Sequence, residues 1–229
     1  MNKEFKYQSR DRAFKLSQQF INDYKGEQPK WGFDGLGHFV YKRTYARELE
    51  QGGTEEFWQT CQRVVEGTYA IQKKWCSLMG VPWDNRKAQR SAQEMYQRMW
   101  DFKFLPPGRG LWMMGTDFIH EKGGAALNNC SFVSTKDIDV DFAAPFCFLM
   151  DMSMLGVGVG GDVRGKGKVT LIIPEPSEEV FVVHDSREGW VELVRTVLNA
   201  FVGKCKLPVN IDYSEVRGRG APIQGFGGV

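Results

Sequence analysis

Four short segments carry the side chains that could do chemistry in this 229-residue chain. The first is Gly156-Val-Gly-Val-Gly-Gly-Asp162. Closely spaced glycines remove Cβ obstruction and offer backbone N–H donors to phosphate or hydroxyl oxygens. An apolar helical pattern precedes the run and no Gly-Lys-Ser/Thr closes it, so it matches neither a dinucleotide fingerprint nor a phosphate-binding P-loop. The second segment, Arg164-Gly-Lys166-Gly-Lys168, places three cations on a flexible stretch. It could hold a triphosphate or be a solvated turn. The third is Asn128-Asn129-Cys130-Ser131-Phe132. A single cysteine on a strand is either a small buried apolar residue or a reactive thiol. The fourth, Phe104 to Thr116, is long and non-periodic. Its Arg109 and Trp112 could contact a ligand, or the segment could be an ordinary connection.

Composition narrows these options. There are 30 Lys+Arg and 28 Asp+Glu, a net charge of 30 − 28 = +2, and 42% of residues are apolar. That is a globular composition, and it disfavours generic nucleic-acid binding. No run approaches the roughly 20 apolar residues of a membrane span, and the first residues lack the apolar stretch of a signal peptide. The expected location is the cytoplasm, bacterial or that of a phage-infected host. The five cysteines, Cys61, Cys76, Cys130, Cys147 and Cys205, are odd in number and contain no Cys-x-x-Cys. They make neither a disulfide framework nor a zinc site, and the three histidines are not at metal-ligand spacing, so no metal site is expected. Outside Cys130 the cysteines read as core.

The elements that must position these segments follow from periodicity. Ala13 to Tyr24 is expected to be a short helix, and Gln28 to Tyr41 a loop with a short strand. Thr54 to Met79 carries Phe57, Cys61, Val64, Val65 and Trp75 near one helical face, with Thr54 as N-cap and Gly80 as stop. A second helix is expected over 86–102, with Ala88, Ala92, Met95 and Met99 inward, and Pro106-Pro107-Gly108 closes that region. A strand follows within Ala126–Thr135, then a buried helix over Asp141–Leu155 with Pro145 in its first turn. Gly156 to Gly167 reads as a loop. Val169–Ile173 and Glu179–Val183 read as strands, the first buried. Asp185 and Glu188 form a capping box for a helix presenting Trp190, Val194, Val197, Leu198 and Phe201 inward. Val209 to Tyr213 is the last strand before a glycine-rich tail. Alternating strand and helix behind a helical region indicates a parallel α/β arrangement.

Five segments in this order resemble ribonucleotide reductases, most closely the monomeric, adenosylcobalamin-dependent class II ribonucleoside-triphosphate reductases. They are LPPGRGLWMMGTD (105–117), LNNCSFV (127–133), MLGVGVGGDVRGKGKV (154–169), DSREGW (185–190) and DYSEVRGRGAPIQGFGG (212–228). The resemblance implies an α/β fold: a helical N-terminal region, 1–103, then the first half of a ten-stranded α/β barrel, 104–229. It implies an N-terminal piece of a split or intein-interrupted enzyme. The radical cysteine, the second redox cysteine and most cobalamin contacts would then lie in a C-terminal reductase chain.

On the same footing, Cys130 would be one of two thiols that reduce the ribose and become a disulfide, restored by a thioredoxin-like reductant. Asn128, Asn129, Gly156, Gly158, Gly160 and Gly161 would line the site for the ribonucleoside triphosphate. Asp137, Asp139, Arg164, Lys166, Arg217 and Arg219 would contact a deoxynucleotide effector, with the 162–168 and 217–228 stretches as specificity loops. The other readings are a regulatory nucleotide-binding chain with no redox role, and a fragment of a class I or class III reductase.

Overall fold

The computed structural model describes residues 14–49, 51–221 and 223. By packing, the chain divides between residues 127 and 128 into two units, so the segment 104–127 packs with the helices that precede it.

The first unit is helical. In order it holds α1 (Gln18–Asn22), α2 (Leu36–Thr44), α3 (Phe57–Leu78), α4 (Asn85–Trp100), α5 (Gly108–Met113) and α6 (Asp117–Lys122). α3 and α4 form where periodicity places them. Phe57, Cys61, Val64 and Val65 of α3 face Ala88, Ala92, Tyr96 and Met99 of α4 in one buried core, ringed by Trp31, Trp100 and Phe102. Burial along α3 stops at Tyr69, and Trp75 is exposed, because no described element covers the last turns. The cap of α3 is Glu56, not Thr54. Its carboxylate and the Gln59 side chain bond reciprocally to backbone N–H groups, while Thr54 bridges to Glu48.

Two further expectations are corrected here. Gln28–Tyr41 holds no strand. Phe33, Asp34 and Gly35 adopt φ of 58°, 49° and 88°, a left-handed turn that feeds directly into α2. The 104–116 stretch is not a long loop either. Pro107 stands in the extended cap position of α5, where its missing N–H costs nothing, and Thr116 caps α6 by accepting from Ile119 N.

A buried ion pair holds α5 in place. Arg63 donates from Nε to Glu55 Oε1 (2.7 Å) and from Nη2 to Glu55 Oε2 (2.9 Å). The same guanidinium donates to the carbonyls of Leu111 (2.8 Å) and Met114 (2.5 Å) at the end of α5. Thr60 Oγ1 donates to Glu55 Oε2 (2.7 Å), and Tyr41 shares a hydrogen bond with Thr60. Close approach makes this reach possible. A Cβ on Gly67 would lie 2.4 Å from Gly115 Cα, and one on Gly115, at φ +79°, 2.2 Å from Arg63 O.

The second unit contains β1 (Cys130–Val133), α7 (Ala144–Met154), β2 (Gly158–Gly161), β3 (Pro176–Val182), α8 (Arg187–Ala200) and β4 (Leu207–Asp212). β1 pairs with β2 and β3 with β4, both in parallel, each across one helix. Parallel neighbours require such a crossover. α7 packs on β1 and β2, and α8 on β4 and on α7. The ion pair Arg187–Asp151 (2.6 Å) joins the two helices, and Arg195–Asp141 (3.1 Å) ties α8 to the turn just before α7. The helical region followed by parallel α/β structure agrees with the expected fold class.

Details differ from expectation. The glycine run is not all loop, since Gly158–Gly161 is β2. Val169–Ile173 is not a buried strand. It joins no ladder among the described residues, Ile172 N bonds Phe201 O (2.9 Å), and Ile173 is 96% exposed. Apolar content alone gives a segment no partner. α7 is only partly buried, with Phe146 and Leu149 exposed. α8 is capped by Ser186, which accepts from Gly189 N (3.0 Å), rather than by Asp185. Its fully buried residues are Leu193 and Ala200, while Trp190, Val194, Val197 and Leu198 are half-buried and Phe201 is exposed. Of the cysteines read as core, Cys61 and Cys147 are buried, Cys76 is half-buried and Cys205 is exposed. Ala13, Pro222 and residues 224–229, parts of the expected first helix and tail, lie outside the described residues.

The helical unit yields the first test. Glu55→Gln leaves the Arg63 guanidinium enclosed without its carboxylate and should cost about 3 kcal/mol in urea unfolding. Glu94→Gln, at the exposed i,i+4 pair with Arg98, should cost under about 0.5 kcal/mol. Equal losses would show that the buried pair holds nothing in place.

Candidate functional site

The parallel register of β1 and β2 sets the geometry. Cys130 stands opposite Gly158, Ser131 opposite Val159, Phe132 opposite Gly160 and Val133 opposite Gly161. Gly158 N donates to Asn129 O (2.9 Å), which extends the pairing one residue back. The asparagine–cysteine segment and the glycine run, far apart in sequence, are therefore neighbours. Asn128, Asn129 and Cys130 lie along one strand end, with Gly158, Gly160 and Gly161 alongside and Gly156 in the turn that leads in.

Side chains alternate across a strand. Ser131, Val133 and Val159 are half-buried on the side that α7 covers. Cys130 and Phe132 point to the other side and are exposed. Their neighbours on β2 are glycines, so Cys130 stands on a sheet face without flanking side chains from that strand. Gly156, at φ 73°, ends α7: its N–H bonds Ser153 O (2.8 Å) and the next N–H, of Val157, bonds Met152 O (3.0 Å). That turn reverses the chain onto β2.

Beyond the strand ends, two loops are laced together by Asp162. Its carboxylate accepts from Ser134 Oγ (2.7 Å), Thr135 N (2.9 Å), Thr135 Oγ1 (3.0 Å) and Arg164 N (3.2 Å). The Thr135 N–H and the Ser134 hydroxyl favour the ionised form, and they hold this carboxyl well below the usual aspartate range. Gly165 N donates to Thr135 Oγ1 (3.0 Å), and a Cβ on Gly165 would lie 2.4 Å from Ile138 Cδ1. Lys168 reaches the Lys136 carbonyl and lies 3.5 Å from Asp139. The structure thus brings Asp137, Asp139, Arg164 and Lys166 onto two adjoining loops. In sequence Asp162 is the end of the glycine run and the start of the 162–168 stretch, with no bonding role of its own. The signal was present: an aspartate just past one strand and Ser-Thr just past its partner.

The remaining residues assigned to an effector site lie elsewhere. Arg217 and Arg219 follow β4. Arg217 Nη1 bonds Asp185 Oδ1 (2.6 Å) after β3, and His184 Nδ1 pairs with Glu215 Oε2 (2.7 Å) beside it. These pairs fasten the start of the 213–221 segment to the end of β3. Arg109 and Trp112 belong to the helical unit, where the Arg109 and Arg47 guanidinium carbons lie 5.6 and 5.7 Å from the Trp112 ring centre.

Comparison with known proteins gives the class first. Residues 16–116 match the family model described as the ribonucleotide reductase alpha domain. A solved structure titled as a B-12-dependent, class II ribonucleotide reductase superposes with a TM-score of 0.73 at 29% identity, over 94% of this chain and 37% of that one. Both matches are to ribonucleotide reductases, and the chain is similar to a part of such an enzyme. The relatives are more particular. It is 46% identical over 95% of its length to a probable adenosylcobalamin-dependent ribonucleoside-triphosphate reductase of Dictyostelium discoideum, and 44% identical over 94% to the Euglena gracilis reductase of that name. Those alignments cover 31% and 30% of the relatives, so the chain spans about a third of their length.

The Asp162 staple is testable by pH. A carboxyl whose folded value is depressed adds stability above its unfolded value and loses it as pH falls through the folded one. The Asp162 carboxyl carbon should therefore titrate below 3.8, the ordinary value. Amide protection of 134–136 and 164–166 should persist to pH 4 in the parent and drop in Asp162→Ala. A midpoint at or above the ordinary value would show that these hydrogen bonds are not made.

Proposed function

We propose that this chain supplies one reducing thiol, Cys130, together with substrate and effector loops, to a reductase that converts ribonucleoside triphosphates to 2′-deoxyribonucleotides. The observation that carries the reading is Cys130, exposed on the glycine-flanked face of β1, in a chain similar over nearly its whole length to enzymes named for this activity.

The ribose 2′-hydroxyl leaves as water and the 2′-carbon gains hydrogen. Two thiols supply the two electrons and become a disulfide. Cys130 is one thiol, and the second belongs to a C-terminal reductase part. A thioredoxin-like dithiol then reduces the disulfide by exchange. Exchange requires an accessible sulfur. Cys130 is exposed, whereas burial raises the Cys61 and Cys147 thiols. Adenosylcobalamin, for which the relatives are named, supplies the radical when bound. Among the described residues no three of His, Cys, Asp or Glu converge on a metal position, and we assign none of them to the cofactor. Asn128, Asn129, Gly156, Gly158, Gly160 and Gly161 line the substrate side.

Arg164 and Lys166 are the phosphate ligands of the effector, and Asp137 or Asp139 meets its ribose, across the loops that Asp162 joins. Arg217 and Arg219 act from the second loop, with Arg217 anchored through Asp185. No described helix is long and apolar enough to cross a membrane. The described cysteines are free thiols, in keeping with work in a reducing cytoplasm.

Two measurements test the reading in the complex with the C-terminal part. Cys130→Ser should keep the fold, nucleotide binding and cob(II)alamin formation on rapid mixing, while deoxynucleotide yield collapses. Normal yield from that variant would remove the redox role and leave a regulatory chain. Arg164→Ala with Lys166→Ala should weaken deoxynucleotide effector binding by about 2–4 kcal/mol, from charge-assisted bonds discounted for exposure. Unchanged effector affinity would take both residues out of the site.

A further inference from the structure

Two glycines of β2, Gly158 and Gly160, meet no backbone requirement for glycine. Gly156 needs its left-handed φ of 73°, and a Cβ on Gly165 or Gly189 would run into neighbouring atoms at 2.4 and 2.5 Å. Gly158 and Gly160 differ. Neither has a positive φ. A Cβ on Gly158 would lie 3.6 Å from Asn129 O, and one on Gly160 would lie 3.7 Å from Phe132 Cδ2, both ordinary contacts. Alanine fits at either position, and glycine inside a strand is the less stable choice. Gly158 and Gly160 are alternate positions on one face, the face of Cys130.

Phe132 stands on that same face, one side-chain repeat along from Cys130. It is 63% exposed, and its ring edge lies over Gly160. A two-residue step along a strand is about 6.7 Å, a span suited to a sugar and a base joined by one bond. An exposed aromatic ring beside a flat backbone surface is a stacking platform for any base.

We propose that Phe132 contacts the substrate: its ring packs against the nucleobase of the nucleotide whose ribose lies over Cys130, and Gly158 and Gly160 keep that face clear. This rests on the substrate reading of the Cys130 face. It adds a residue that reads the base, and it assigns the two glycines to the ligand rather than to the backbone.

The experiment compares the full chain with Gly158→Ala, Gly160→Ala, Phe132→Ala and Phe132→Tyr. Thermal midpoints are measured without ligand, and affinities are measured for ATP and for inorganic tripolyphosphate. Both glycine variants should melt at or above the parent midpoint and bind ATP at least about ten-fold more weakly. Phe132→Ala should lose ATP affinity by a similar factor, as expected for one lost stacking contact. Phe132→Tyr should retain it, and tripolyphosphate binding should not move in any variant. A lowered midpoint in the glycine variants would make them structural and overturn the proposal. ATP affinity equal in all variants, losses equal for ATP and tripolyphosphate, or no ATP binding by the parent would overturn it too. Cys130→Ser should bind ATP as the parent does. A failed shelf thus registers in affinity, and a failed redox role registers in deoxynucleotide yield.

Discussion

The register of one parallel strand pair is the constraint on which the site depends. In that register Cys130 meets Gly158 rather than Val159. A slip of one residue would turn every side chain of β2 to the opposite face. Valine would then flank the thiol, and the glycines would pack uselessly toward α7. The register is set from both ends. At one end the Gly156 turn terminates α7 and delivers Gly158 to Asn129 O. At the other, Asp162 gathers Ser134 and Thr135 as soon as β1 ends. Between these points four residue pairs have little freedom to shift.

In the helical unit a buried charge plays the comparable part. The Arg63 guanidinium divides its donors between Glu55 and the carbonyl ends of α5. Those carbonyls have no partner within their own helix, and here they meet a fixed cation instead. Glu55 is in turn saturated by Thr60 and Arg47 N. Such a network contributes little net stability compared with apolar packing, but it accepts only one placement of α5. The Gly67–Gly115 contact adds a distance requirement to that orientation.

Much of this was legible in the sequence, and the exceptions share a cause. α3, α4 and α8 were visible because 3.6-residue periodicity is a local signal. The Cys130 strand, Cys130–Val133, falls within the Ala126–Thr135 stretch expected to contain one. Gln28–Tyr41 was misread because Phe33 and Asp34 adopt left-handed conformations that their residue types do not announce. Val169–Ile173 was misread because strand formation needs a partner, and apolar composition does not supply one. Thr54 and Asp185 were reasonable caps whose side chains found other bonds, leaving Glu56 and Ser186 to the task. For the site itself, residue types suggested a thiol and anion-holding loops. Their adjacency did not follow from spacing. It came from resemblance, and in the structure it follows from a crossover that sequence periodicity cannot orient.

The two parallel pairs also bear on how the second unit is built in time. Each strand returns to its partner across a single helix: 158 − 130 = 28 residues for Cys130 and Gly158, and 207 − 176 = 31 for Pro176 and Leu207. These closures are short for parallel structure, and loop entropy grows only slowly with length, so the two cost nearly the same to form. Rates of folding follow such sequence separations. The unit is therefore composed of two segments of similar kinetic reach. Each can assemble from its own stretch of chain as it is synthesised, before the Arg195–Asp141 and Arg187–Asp151 pairs join them.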